Sequence, residues 1–121
     1  MATVRYLVKD VPSALAFYVD QLGFEEGERW GEVFAILTRG DLTLWLSGPQ
    51  TSAARPMEDG SQPEAGGWNR LVIQVEEIER VVETMVAAGV SVRRSVISGP
   101  GGKQALVEDP SGNPVELFQP A

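Results

Sequence analysis

Apolar and polar residues alternate along several short stretches of the chain, and this period of two predicts β-strands. In the first half the predicted strands are Thr3–Val8, Phe24–Trp30, Glu32–Thr38 and Leu42–Ser47. In the second half they are Arg70–Val75, Val90–Ser98, Gln104–Val107 and Pro114–Gln119. Each predicted strand is bounded by residues that favour turns, such as Gly31 and the pair Gly40–Asp41.

Two stretches follow the helical period instead. The first helix begins after Asp10, a good N-terminal cap, with Pro12 in its first turn, and Gly23 ends it. Its apolar face is formed by Val11, Ala14, Leu15, Tyr18 and Leu22. The second helix ends at Gly89, and its apolar face is formed by Ile78, Val81, Val82, Met85 and Val86.

The order strand, helix and three strands occurs twice. The pattern of residues 3–10 matches that of residues 70–77, and Leu-Gly-Phe after the first helix matches Ala-Gly-Val after the second. Residues 48–67 between the halves have no periodicity and read as a connecting loop or lid. We therefore predict one α+β domain, with modules at about 1–47 and 68–121. The alternative is an α+β domain whose halves are similar by accident.

Composition narrows the possible partners. The chain has 121 residues, no cysteine, no histidine and a net charge of −7. The acidic surface is expected to repel nucleic acid and anionic lipid. We expect a cytoplasmic protein, because no signal-peptide pattern or membrane-spanning stretch is present. Without histidine, a Ser-His-Asp triad is excluded, and any metal would need oxygen ligands.

Strand alternation also predicts which residues face away from the helices. Val4 and Tyr6 suit the helix side of the first strand. The opposite face of the strands then combines polar and aromatic residues, which is typical of a ligand-binding cleft: Thr3, Arg5, Trp45, Glu116 and Phe118. A stacking cage is predicted from Trp30, Phe34, Trp45, Trp68 and Phe118, although some of these fit an ordinary core or a dimer interface equally well.

Three motifs resemble the vicinal oxygen chelate superfamily. Residues 10–24 are similar to its first helix and helix exit, residues 67–75 to the entry of its second half, and residues 108–118 to its C-terminal D-P-x-G-N-x-x-E-L signature. This superfamily includes glyoxalase I, extradiol dioxygenases, fosfomycin-modifying enzymes and bleomycin-binding resistance proteins. The resemblance implies two tandem βαβββ modules that form a curved mixed sheet with a concave cleft, and a homodimer.

The resemblance also places the metal ligands of metal-dependent members. Those positions correspond here to Thr3, Trp45 or its neighbour Leu44, Arg70 and Glu116. Only Glu116 is a good ligand, since Trp cannot coordinate and Arg carries a permanent positive charge. We therefore expect no metal and no cofactor. Arg70 and Glu116 are expected to form a charge-assisted pair, either as a relic of the metal site or as an anchor for a ligand oxygen.

Two functions of different class follow. The first is metal-independent binding of a small aromatic or natural-product-like ligand, as in resistance and sequestration proteins. Its predicted ligand-binding residues are Thr3, Arg5, Phe34, Trp45, Trp68, Arg70, Glu116 and Phe118. The second is an enzyme (a lyase, an isomerase or a dioxygenase-like member) with Glu116 as general base and Arg70 as stabiliser of an oxyanion. The fold hosts both classes, so the choice stays open.

Overall fold

The computed structural model describes residues 2–121, which form two compact units. The first unit ends at Gly66 and the second begins at Gly67. Each unit contains one βαβββ module, which confirms the predicted α+β class. In each unit the four strands form a mixed sheet of their own.

The first unit contains one helix and four strands. These are β1 (Ala2–Leu7), α1 (Val11–Leu22), β2 (Glu25–Trp30), β3 (Phe34–Arg39) and β4 (Leu42–Ser47). The strand order is β1-β4-β3-β2, with β1 parallel to β4 and the other pairs antiparallel. The long segment that follows carries a short 3₁₀ turn, Ser52–Ala54.

Helix α1 begins and ends where its sequence predicts. The Asp10 carboxylate accepts a hydrogen bond from the Ser13 backbone N–H at 2.9 Å, and Gly23 adopts the left-handed conformation at φ 70°. Tyr18 is fully buried and packs edge-on against Tyr6, Phe17 and Phe24. The contact with Tyr18 confirms that Tyr6 lies on the helix side of the sheet.

The second unit repeats this arrangement. Its elements are β5 (Leu71–Gln74), α2 (Ile78–Ala87), β6 (Val92–Gly99), β7 (Gly102–Glu108) and β8 (Pro114–Pro120). The strand order is β5-β8-β7-β6, with β5 parallel to β8. The Gln119 side chain accepts a hydrogen bond from the backbone N–H of Ile78, the first residue of α2, at 2.8 Å. The last strand is thereby joined to the start of the helix.

All eight predicted strands are present, with ends that differ from the prediction by at most two residues. Two details of the prediction were wrong. Arg70 precedes β5 rather than belonging to it, because the ladder between β5 and β8 starts at Leu71. Val86 was assigned to the apolar face of α2 but is 55% exposed, and of this face Ile78 and Met85 are the buried residues.

The D-P-S-G-N part of the C-terminal signature, residues 109–113, forms a turn before β8 that is closed by hydrogen bonds to Asp109. Asp109 is buried, and its Oδ1 accepts hydrogen bonds from the backbone N–H groups of Ser111 (2.8 Å) and Asn113 (2.9 Å). Its Oδ2 accepts a bond from the Asn113 side-chain amide at 3.0 Å. The D-P-S-G-N motif is thus explained by turn geometry that positions β8, and with it Glu116.

Candidate functional site

In the first unit, the sheet face opposite α1 carries a continuous row of side chains. Arg5 on β1 lies beside Trp45 on β4, and Trp45 lies beside Ile36 on β3. The Arg5 guanidinium is 5.0 Å from the centroid of the Trp45 ring. This distance is within the range of a cation–π contact, with the guanidinium over the indole ring of Trp45.

Two more aromatic rings continue this row. Phe34 meets Trp45 edge-on with centroids 5.6 Å apart, and Trp30 lies 5.3 Å from Phe34. Trp30 is 51% exposed, whereas Phe34 and Trp45 are half-buried. We call Trp30, Phe34 and Trp45 the aromatic row. Neighbouring rings of the row are inclined by 52° and 75°, so it presents a partly exposed aromatic surface with a positive charge at one end, which suits an aromatic ligand.

Thr3 lies on the same face but is not part of the aromatic row. Thr3 is exposed and pairs with Thr43, two residues before the pair of Arg5 and Trp45 along the strands. The structure therefore brings together three of the predicted binding residues of this unit, Arg5, Phe34 and Trp45. It also brings Trp30, a member of the predicted stacking cage, next to Phe34, and it leaves Thr3 at the margin.

In the second unit, the predicted ion pair is present. Arg70 Nε donates a hydrogen bond to Oε1 of Glu116 at 3.0 Å, and Nη2 lies 2.9 Å from the same oxygen. The Glu116 side chain is only 13% exposed, and that of Arg70 is 28% exposed. A carboxylate at this depth needs a partner, and the guanidinium supplies one.

Glu116 uses only one of its two oxygens in this pair. Among the residues that the structure describes, Oε2 has no hydrogen-bond partner. Phe118 lies two residues further along β8, on the same face, between Gln74 of β5 and Gln104 of β7. This face of the second unit therefore combines an available carboxylate oxygen with a half-buried aromatic ring.

Trp68, a member of the predicted stacking cage, lies in the second unit and contacts Arg93. Its ring lies under the guanidinium of Arg93, at 4.7 Å, and the residue is 69% exposed. Arg93 also donates to Glu108 and to the carbonyl oxygens of Gly67 and Gly112. The sequence analysis missed Arg93, because its partners lie 15 to 26 residues away in the chain.

The two sheets show which positions correspond between the units. Trp45 pairs across the parallel strands with Arg5, and Glu116 pairs with Val72, two residues after Arg70. By this register Trp45 occupies in the first unit the place that Glu116 occupies in the second, and Thr3 corresponds to Arg70. The register thus selects Trp45 rather than Leu44, which is fully buried.

These four positions do not fit a divalent metal ion. Glu116 is the one carboxylate among them, and it is already paired with a guanidinium. Within residues 2–121 no cluster of three or more histidine, cysteine, aspartate or glutamate side chains could hold a metal. Ca²⁺ takes six to eight oxygen ligands, which this set cannot supply.

The described helices include none with the length and apolarity needed to cross a bilayer.

Comparison with solved structures shows the same fold in proteins of diverse description. A lactoylglutathione lyase from Agrobacterium tumefaciens is 22% identical, with a TM-score of 0.74 over 98% of this chain and 92% of that one. TnmS3, an antibiotic binding protein from Streptomyces sp. CB03234, is 23% identical, with a TM-score of 0.74 over 98% and 93%. A glyoxalase/bleomycin resistance protein/dioxygenase family enzyme from Burkholderia phytofirmans PsJN is 20% identical. Its TM-score is 0.82 over 98% of this chain and 97% of that one.

No curated protein matches the chain significantly. The model of the Glyoxalase/Bleomycin resistance protein/Dioxygenase superfamily matches residues 1–117, which is nearly the whole sequence. At these identities the solved structures establish the fold alone. On the strength of the family match, the chain belongs to the Glyoxalase/Bleomycin resistance protein/Dioxygenase superfamily.

Proposed function

We propose that this protein binds a small, planar aromatic ligand without a metal ion, as a sequestration protein does. The observation that carries the proposal is the aromatic row, in which Trp45 is held between Arg5 and Phe34. Trp45 stands where metal-dependent relatives are expected to place a ligand atom. A ring and a guanidinium at that position recognise a flat, electron-rich or acidic ligand instead of a cation.

The pair in the second unit supports polar recognition of a ligand. Oε2 of Glu116 is available to accept a hydrogen bond from a ligand hydroxyl or amine, while Arg70 donates to Oε1. The structural neighbour TnmS3 is described as an antibiotic binding protein, which supports a binding function for this fold. We further propose that the protein acts in the cytoplasm and that it forms a homodimer. Sedimentation equilibrium tests the homodimer.

Isothermal titration against a panel of planar aromatic antibiotics tests the proposal. We expect Trp45→Ala to weaken binding about 10-fold or more, equivalent to about 1.4 kcal/mol, because the stacking partner is removed. Val86→Ala is the control, since it removes an exposed apolar side chain on α2, outside the predicted binding residues. If the wild-type protein gives neither heat nor fluorescence quenching with any ligand of the panel, the proposal is wrong.

An enzymatic function is the second candidate, and the unpartnered Oε2 of Glu116 favours it. A general base needs a carboxylate oxygen within reach of substrate, and Arg70 would then stabilise a developing negative charge. The lactoylglutathione lyase among the structural neighbours shows that the fold also carries catalysis. Glu116→Gln distinguishes the two functions: loss of turnover with retained ligand affinity supports an enzyme, and unchanged turnover excludes this role for Glu116.

A further inference from the structure

A cavity of about 160 Å³ lies in the first unit at the carboxyl ends of the parallel strands β1 and β4. Leu7, Val8 and Ser47 contribute to its lining from the strand ends, and the long segment after β4 supplies the other side. The carboxyl ends of parallel strands are a common place for ligands in mixed and parallel sheets. The cavity therefore lies where a small molecule is expected to bind.

Ser47 is the residue of this lining whose hydroxyl group is proposed to determine what the cavity binds. Ser47 is 1% exposed, and among the described residues its Oγ is the one buried side-chain polar atom without a hydrogen-bond partner. A buried hydroxyl left without a partner is unfavourable, so a molecule that supplies one is favoured. The hydroxyl both donates and accepts, and it rotates to suit the partner.

The segment that covers the cavity is held by its own hydrogen bonds. Thr51 Oγ1 donates to the Gly48 carbonyl at 2.8 Å, and Asp59 Oδ1 accepts from the Ser61 hydroxyl at 2.6 Å. Between these two turns, Ala54 lines the cavity, and Pro63 and Ala65 line it from further along the segment. Their side chains are short and apolar, so they leave the space unfilled and give this side of the cavity an apolar lining.

The lining also carries one positive and one negative residue, Lys9 and Glu64. Both are exposed, so their charges stay in water. Because the two charges are opposite, the cavity has no net preference for an anion or a cation. The expected occupant is neutral.

The geometry points to a binding site for a small neutral molecule with an apolar body and one hydrogen-bonding oxygen, held by Ser47. An apolar cavity of about 150 Å³ accommodates benzene, so an occupant of roughly six to eight non-hydrogen atoms fits here. The lining includes none of Arg5, Trp45 and the aromatic row. Ser47 pairs with Phe34 across β3 and β4, so the cavity lies next to the aromatic row, but it has its own lining and either proposal can fail alone.

Phenol and benzene are the probes, because they differ in the single hydroxyl that Ser47 would recognise. We expect the full chain to bind both, with phenol preferred at least about 5-fold, and the amide NMR signals of Val8, Ser47 and Ala65 to shift. Ser47→Ala is expected to abolish the preference while benzene still binds. Ser52→Ala, an exposed serine that does not line the cavity, is the matched control and should keep the preference.

Ala65→Leu is a second test, since a larger side chain at this position fills the cavity and should prevent binding of both probes. Three results would each overturn the proposal. They are no binding of either probe by the wild-type chain, an unchanged phenol preference in Ser47→Ala, and NMR shifts confined to the face of Trp45.

Discussion

Arg70 and Glu116 are joined through a single carboxylate oxygen, because Nε of the guanidinium donates to Oε1 and Nη2 makes its ion-pair contact with the same oxygen. A fork-to-fork pair would use both oxygens and leave none for a ligand. The observed arrangement neutralises the charge of Glu116 and still leaves Oε2 without a partner among residues 2–121. The pair is therefore expected to stabilise the second unit while one carboxylate oxygen stays available to a ligand.

The first prediction concerns the stability that this pair provides. Arg70→Ala leaves a carboxylate of 13% side-chain exposure without a counter-charge, so we expect the free energy of unfolding to fall by about 1–2 kcal/mol. Adding Glu116→Gln should recover part of the loss, because the uncompensated charge is then removed. Urea denaturation measures both effects.

Arg80→Ala is the control for this cycle. Arg80 and Glu77 are 3.7 Å apart, with side chains 77% and 70% exposed, and such a pair contributes little. Its removal should change the free energy of unfolding by less than about 0.5 kcal/mol. A loss from Arg70→Ala no larger than that from Arg80→Ala would show that the buried pair is not stabilising.

The second prediction concerns the hairpin between β6 and β7. Gly102 has φ +145°, and a Cβ at this position would collide with the Gln119 carbonyl oxygen and lie 2.9 Å from the Ala121 backbone nitrogen. Gly102→Ala should therefore destabilise the protein by about 2 kcal/mol or more in thermal or urea unfolding.

The neighbouring glycine provides a matched control for this prediction. A Cβ at Gly101 would lie 3.8 Å from the tip of the Phe118 ring, which is an ordinary contact. Gly101→Ala is therefore expected to be neutral or slightly stabilising. Equal effects of the two substitutions would contradict the steric explanation.

The sequence predicted the elements and the faces better than the individual contacts. The period of two placed Arg5 and Trp45 on one face correctly, because side-chain direction in a strand is a local property. The position of β4, Leu42–Ser47, was correct at both ends. By contrast, Arg93 binds the carbonyl oxygens of Gly67 and Gly112, and such a contact depends on how distant segments pack.

Ser47 illustrates the same limit. The alternation along β4 predicts that it faces away from α1, but its burial and its missing partner depend on the segment that covers it. That segment has no periodic pattern, so its path could not be predicted. The sequence thus indicated the aromatic face but not the cavity at its end.

The third prediction concerns the pKa of Asp10. Hydrogen bonds from the Ser13 side chain and then its backbone N–H hold the pKa of Asp10 below its ordinary value of 3.8. A lowered pKa in the folded state means that this stabilisation is present above the ordinary pKa, and is lost as the pH falls through the folded one. Ser13→Ala should therefore raise the pKa of Asp10 towards 3.8.

Carboxyl NMR titration measures this shift and includes its own control. The Ser61 hydroxyl and backbone N–H lower the pKa of Asp59 in the same way. Ser61→Ala should raise the pKa of Asp59 and leave that of Asp10 unchanged, and Ser13→Ala should do the reverse. If the pKa of Asp10 is the same in Ser13→Ala as in the wild type, the Ser13 side chain does not lower it.

The last prediction concerns metal ions. Thr3, Trp45, Arg70 and Glu116 stand at the positions where metal-dependent relatives are expected to bind a metal, and they offer one carboxylate, which a guanidinium already occupies. We expect the purified protein to contain no stoichiometric metal by elemental analysis, and a chelator to leave its affinity for an aromatic ligand unchanged. Arg70→Ala frees the carboxylate, yet it should still not bind Mg²⁺, Mn²⁺ or Zn²⁺ at micromolar concentration, because a single carboxylate is too small a ligand set. A stoichiometric ion held by Glu116 in the wild-type protein would instead require Arg70 to leave its partner, and the proposed mode of binding would then be wrong.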